Sequence, residues 1–160
     1  MILAIDPGLH GACALYDPAS NKVTTYDMPT HCIMVNHATR HQLDLTALAQ
    51  WIDNAALLCT TAILEDPNAL PKQGITSAFS FGRVCGILQM ALVMAEIPYT
   101  LVKPATWKRH MGVTSDKDEC RRRASQLFPS AASQWARKQD DGRAEAALLA
   151  YYHHQTGGVR

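Results

Sequence analysis

Residues 2–16 read Ile-Leu-Ala-Ile-Asp-Pro-Gly-Leu-His-Gly-Ala-Cys-Ala-Leu-Tyr. The apolar run Ile2–Ile5 stops at Asp6-Pro7-Gly8, the pattern of a buried strand ending in a tight turn. Gly11–Tyr16 predicts a second strand closed by Asp17-Pro18, and Val23–Met28 a third closed by Pro29. Three strands joined by short turns predict an antiparallel meander. Thr61–Glu65 predicts a fourth strand, again ending on an acid before a proline, at Asp66-Pro67. Tyr99–Val102 predicts a fifth.

Elsewhere the apolar period changes to that of a helix. After a polar stretch at 30–42, Leu43, Leu45, Leu48, Trp51, Ile52, Ala55 and Leu58 recur at helical spacing, with Asp44 placed to cap. Residues 68–74 predict a loop. Residues 75–96 are apolar nearly all round and predict a long, largely buried helix ended by Pro98. Pro104 opens a short helix carrying Trp107-Lys108-Arg109. Ser115 followed by Asp118 is a capping-box pattern for a helix to about Phe128, where Pro129 stops it. A final helix runs from about Asp141 to His154. The order βββ-α-β-α-β-α-α-α describes one α/β domain over residues 1–155: a mixed five-stranded sheet flanked by helices, with a flexible tail at 156–160.

Composition agrees. A chain of 160 residues fits one domain. With 48% apolar and 18% charged residues, wholesale disorder is excluded. No apolar run reaches the ~18 residues of a membrane span. The start, MILAIDPG, lacks the basic region and cleavage site of a secretory signal, so a cytoplasmic protein without a membrane partner is expected. Cys13, Cys32, Cys59, Cys85 and Cys120 form no C-x-x-C pair and read as reduced core residues. The histidines at 31, 37, 41, 110, 153 and 154 match no zinc spacing and receive no role, although His10 lies close to Asp6 in sequence. Charge is divided: residues 1–102 carry four Lys/Arg and eight Asp/Glu, residues 103–160 eleven and six. An acidic part joined to a basic part suits a carboxylate site beside a polyanion-binding surface.

The acids fall in telling places. Asp6 and Glu65 end strands that would lie side by side if the first and fourth strands are neighbours. Adjacent carboxylates repel, and a hard divalent cation removes that cost. Asp140, Asp141 and Glu145 gather at the start of the last helix, where Asp141 and Glu145 share a face. The helix dipole alone accounts for Asp140 and Asp141, and less well for Glu145. Four such carboxylates would suit two-metal phosphodiester hydrolysis. No G-x-S-x-G or Cys/His dyad competes.

Several blocks carry a resemblance: Ile5-Asp6-Pro7-Gly8, Leu64-Glu65-Asp66-Pro67, Gln73 to Arg83 with its Phe-Ser-Phe-Gly-Arg, Val102-Lys103-Pro104-Ala105-Thr106-Trp107-Lys108, and Asp141-Gly142-Arg143-Ala144-Glu145-Ala146. Over residues 1 to about 153 the chain resembles the RuvC-like Holliday junction resolvases of the RNase H-like superfamily, nearest the branch with the phage and chloroplast resolvases. The resemblance implies an RNase H-like fold. It implies a metal set of Asp6, Glu65, Asp141 and Glu145, with Lys108 also catalytic, and Mg²⁺ as cofactor with Mn²⁺ substituting. Better-known bacterial members place two aspartates three apart on the last helix; here the acids are four apart and the second is Glu. Asp141 is favoured over Asp140 because it shares a face with Glu145, and Asp66 is a supporting candidate.

The implied partner is a four-way DNA junction, cut by paired symmetric nicks leaving 5′-phosphate and 3′-hydroxyl ends. A homodimer would match the junction's two-fold symmetry, with the 75–96 helix as its face. The implied DNA contacts are Gln73, Ser77, Phe79, Phe81, Arg83, Lys103, Trp107, Lys108, Arg109, Lys117, Arg121, Lys138 and Arg143. Lys108 and Lys138 would lie near the scissile phosphates. Ten of the fifteen basic residues lie between 103 and 143, where phosphate contacts would position a duplex without reading it. Phe79 and Phe81 cannot share one helical stripe, so one is expected at the surface as a wedge between bases. Trp107 would stack on a base or, more simply, anchor its helix. The alternatives are an RNase H-like nuclease for flaps or hybrids, a non-catalytic junction binder, and an actin-like or sugar-kinase ATPase, whose usual chain is far longer.

Overall fold

The computed structural model describes residues 1–35, 37–68 and 74–158. Strand β1 (Ile2–Asp6) lies at the centre. It pairs antiparallel with β2 (Ala12–Asp17), which pairs antiparallel with β3 (Lys22–Asp27). This is the meander expected from the turns. A ribbon of β4 (Thr30–Val35) and β5 (Ala38–Leu43) follows, separate from the main sheet. Then come α1 (Leu45–Ala56), β6 (Thr61–Glu65), α2 (Ile75–Met94), β7 (Tyr99–Val102), α3 (Pro104–Met111) and α4 (Lys117–Leu127). Short 3-10 segments at 129–135 and 138–140 lead into α5 (Asp141–Gln155). The main sheet has the order β3-β2-β1-β6-β7, with β6 parallel to both β1 and β7. The mixed five-stranded sheet in a single α/β domain is as the sequence predicts.

β1 is apolar throughout because both faces of the sheet are covered. Side chains alternate along it. Ile2 and Ala4 join the core under α3, α4 and α5, and Leu3 and Ile5 join the core under α1 and α2. On the first face Ala4, Ala12 and Ala14 meet Ala144, Ala147 and Ala150 of α5. Small residues on both sides let the helix come close.

Four features depart from the sequence reading. The polar stretch 30–42 contains the β4–β5 ribbon; its strands lack an apolar alternation because most of their side chains are exposed. α2 is not largely buried: only Val84, Leu88 and Leu92 are, while Ile75, Phe79, Met90, Val93 and Met94 are open. By length and composition alone α2 would also cross a bilayer, contrary to the expected absence of such a span, although those three residues seat it on the sheet. The cap of α4 is Asp116 rather than Ser115, its carboxylate accepting from the Asp118 and Glu119 amides. Finally, Cys13 and Cys120 are core residues but Cys32 is exposed on the ribbon.

Candidate active site

Asp6 falls two residues beyond Ala4, and Glu65 two beyond Ile63, so alternation aims both acids at the α5 face. Ile5 pairs with Leu64, and the next step of that parallel register sets Asp6 beside Glu65. The other acids arrive on α5, where Asp141 and Glu145 lie one turn apart. What brings α5 to the strand end is glycine. A Cβ on Gly142 would stand 3.2 Å from Asp6 Oδ2 and 3.0 Å from the His10 carbonyl oxygen. A Cβ on Gly11 would stand 2.1 Å from the Asp6 carbonyl oxygen, too close for any side chain.

The electrostatics record the convergence. Asp6 is held well above the usual carboxylate range, first by burial, then by the negative charges of Glu65 and Glu145; Lys108 opposes this and Asp141 adds to it. Glu65 is raised by burial, which outweighs the lowering effect of its hydrogen bond from Trp107. Burial alone would lower Lys108, but its bond to Glu145 and that carboxylate's charge raise it on balance. Four carboxylates from three separated segments thus share one electrostatic neighbourhood.

Lysines answer part of that charge. Lys108 Nζ lies 2.8 Å from Glu145 Oε1, both side chains mostly buried. Lys117 pairs with Asp141, which raises the ammonium above its usual value. Asp140 turns elsewhere. Arg137 donates to it through Nε at 3.0 Å and Nη2 at 2.8 Å, and holds it below the usual range. Of the two adjacent acids, Asp141 is the one beside Asp6.

Trp107 is 1% exposed and donates its indole N–H to Glu65 Oε1 at 2.7 Å. It cannot stack on a base from there, which corrects its assignment as a DNA contact: it anchors α3 and fixes a carboxylate. Arg143 is likewise engaged within the fold, by Asp27 at 2.6 Å and the Gln134 carbonyl at 3.1 Å. Lys103 bonds Asp66 at 2.6 Å and Asn68 at 2.9 Å. Arg121 bonds Asp118 and the Ala136 carbonyl. Arg109, Lys138, Ser77 and Arg83 are exposed. Phe79 is the outward one of the two phenylalanines, 74% exposed. Phe81 is half-buried beside Gly8. Gln73 lies outside the described residues. A cavity of about 460 Å³ is bordered by Phe81, Lys103 and Lys108 and, of the acids, by Glu65.

The donor set is all carboxylate oxygen, the chemistry preferred by Mg²⁺. Among the described residues no three His, Cys, Asp or Glu side chains are drawn together tightly enough to enclose an ion. Glu145 and Asp141 instead lean on their lysines.

The chain matches no protein-family model and no curated protein in sequence. In structure it is similar to Thermus thermophilus RuvC in complex with Holliday junction substrate: TM-score 0.61, 12% identity, covering 98% of this chain and 94% of that one. A second Thermus thermophilus RuvC structure gives a TM-score of 0.52 at 13% identity, covering 98% and 96%. The fold is RuvC-like. At such identities the likeness is one of fold, and the residues must argue the chemistry. Two of them, Gly11 and Gly142, receive no role in the site from sequence reasoning, and Trp107 receives a different one, since its bond to Glu65 was not foreseen. A glycine in the first turn of a helix, which costs about 1 kcal/mol against alanine, was the available signal for Gly142.

Proposed function

We propose that this chain is a metal-dependent, structure-selective DNA endonuclease that resolves four-way junctions by paired symmetric nicks. It would act as a homodimer in the cytoplasm, with its nearest kin in the phage and chloroplast branch of the resolvases. The observation that carries the reading is geometric: the β1–β6 register sets Asp6 beside Glu65, and Gly142 brings the first turn of α5, with Asp141 and with Glu145 on Lys108, against Asp6. A protein that only bound DNA would have no use for four acids near phosphates. The RuvC-like fold supports the same reading, and one of the similar structures is a complex with a Holliday junction substrate.

Mg²⁺ would be held by those four carboxylates and, when bound, supplies a lowered water pKa and neutralises charge developing on phosphate oxygens. The chain's own groups do the rest. Trp107 fixes Glu65 Oε1, so that acid offers one defined oxygen. Gly142 lets Asp6 sit against the first turn of α5. Lys108 and Lys117 now neutralise Glu145 and Asp141, and would be the ammonium groups nearest a phosphate if those carboxylates held a cation instead. Arg109, Lys138 and Arg83, exposed as they are, extend the cationic surface. The open apolar side of α2, with Met90, Val93 and Met94, is the face a second copy would cover, giving two equivalent sites for two cuts.

The test is cleavage of a synthetic four-way junction, with and without Mg²⁺, mapped to the nucleotide. Asp6→Asn and Glu145→Gln should each lower the rate by on the order of 10³-fold, equivalent to about 4 kcal/mol of lost charge stabilisation, while junction binding persists. Full activity in either variant refutes the site. Flap and RNA/DNA hybrid substrates run alongside separate a resolvase from other nucleases of this fold.

A further inference from the structure

We infer that the β4–β5 ribbon is a DNA-gripping arm, and that the groove between it and the first turns of α2 holds a strand of the junction beside the carboxylates. The inference rests on the nuclease reading above, and adds a binding surface that neither the acids nor the basic C-terminal part supplies.

The ribbon does little for the core. Among the described residues its two strands pair with each other and with no strand of the main sheet, and of those twelve strand residues only Leu43 is buried. Isolated two-stranded ribbons are marginal in water, so one kept on a folded domain calls for a partner. Its root is firmly placed. The Met28 amide bonds the Gly11 carbonyl, and the Asp44 amide bonds the Pro29 carbonyl. The His41 ring also meets that of His10 edge-on, at 5.7 Å. That contact ties the ribbon to the loop that follows Asp6.

Charge identifies the partner. Residues 28–43 contain no Asp or Glu, although the surrounding residues 1–102 carry twice as many acids as bases. What they do contain is Arg40, His31, His37 and His41. The groove, about 590 Å³, is bordered by Gly8, His10, Arg40, His41, Ser77 and Phe81. Guanidinium, imidazole and hydroxyl groups are the side chains that meet phosphate and sugar, and an aromatic ring at the rim can stack on a base. Leu9, Phe81 and Val84 add an apolar floor on which bases and sugars can rest, while Arg40, His41, Thr76 and Ser77 supply the polar groups that a purely apolar protein-docking groove would not need. The groove shares Phe81 with the cavity that Glu65 borders, so a strand lying in it would run on toward that acid. A two-stranded ribbon also has the width to enter a duplex major groove.

The exposed Cys32 gives a direct test. It pairs in register with His41, and strand alternation sets both on one face of the ribbon. In a Cys59→Ser, Cys85→Ser background, a photoactivatable aryl azide on Cys32 is irradiated with a labelled four-way junction in EDTA. An adduct within a few nucleotides of the mapped cut is expected. Separately, Arg40→Ala with His41→Ala should weaken junction binding about tenfold at moderate salt and reduce the salt slope by about one, with an unchanged circular dichroism spectrum. If the parent protein binds the junction but forms no adduct, or if the double variant binds as tightly, the arm is refuted and the nuclease reading stands. If the parent protein binds no junction, both fall.

Discussion

α5 and α2 cover opposite faces of one sheet, and neither shows a clean apolar stripe in sequence. Their fates differ. Nine of the fifteen residues of α5 are buried, but only three of the twenty in α2, so the same lack of sidedness marks one helix as internal and the other as uncovered. Side-chain size separates them. α5 is built of Gly142, Ala144, Ala146, Ala147 and Ala150, facing Ala4, Ala12 and Ala14, and can press against the strands. α2 carries Ile75, Phe79, Met90, Val93 and Met94 outward, too large for close approach and too apolar to be left in water at no cost. The close contact belongs to the helix that must deliver two carboxylates to a fixed place. The open face belongs to the helix that a second copy would cover.

The largest effect that would sharpen this contrast lies within α2 itself. Leu88 is fully buried on the sheet side, so Leu88→Ala should cost about 2–5 kcal/mol in a urea melt. Met94→Asp, on the open side, should change subunit stability by less than about 0.5 kcal/mol and yet convert a dimer to a monomer in sedimentation. Equal losses in the two variants, or a parent protein that is monomeric at all concentrations, would break the contrast.

A smaller effect probes α5. Gly142→Ala removes a poor helix former, worth up to about 1 kcal/mol in favour of folding. The new methyl would crowd Asp6 Oδ2 and the His10 carbonyl. Unfolding should therefore move little while junction cleavage falls about tenfold, or about 1.4 kcal/mol in the barrier. Retained cleavage would mean that the close approach of α5 to Asp6 has no bearing on the chemistry.

Much of this was legible from residue pattern. The meander and the acids at the strand ends follow from apolar runs that stop at Asp6-Pro7 and Glu65-Asp66-Pro67, because strands buried on both faces leave continuous apolar stretches; the parallel pairing of β1 with β6 does not, since no local pattern names a strand's neighbour. Asp44 capped its helix as read. The ribbon was not legible, since strands exposed on both faces leave no alternation. Nor was the open side of α2, because an apolar residue looks the same whether its cover lies within the chain or outside it. Trp107 read as a base-stacking or anchoring residue; its indole N–H on Glu65 depends on β6 and α3 meeting across 42 positions, which no local pattern encodes. The lysine partners of Asp141 and Glu145 were hidden for the same reason.

The smallest effect contrasts the two ends of α5 by pH. At its far end His153 is buried between the hydroxyls of Thr61 and Thr100, and burial lowers it from 6.5. The unfolded chain then takes up a proton near 6.5 that the folded chain refuses, so this histidine lowers stability as pH falls below that value, by at most about 1.4 kcal/mol per pH unit. At the near end Asp6 and Glu65 are raised. They are protonated more readily in the folded state, and their mutual repulsion is relieved as pH falls through their folded values, so they raise stability on acidification. The two ends pull in opposite directions. Urea melts of the parent protein and of His153→Gln between pH 7.5 and 5 isolate the far end: the difference should grow steadily below about 6.5 in favour of the variant. A constant difference across that range would show that His153 takes up a proton as readily when folded as when unfolded, and the burial of the far end would lose its energetic meaning.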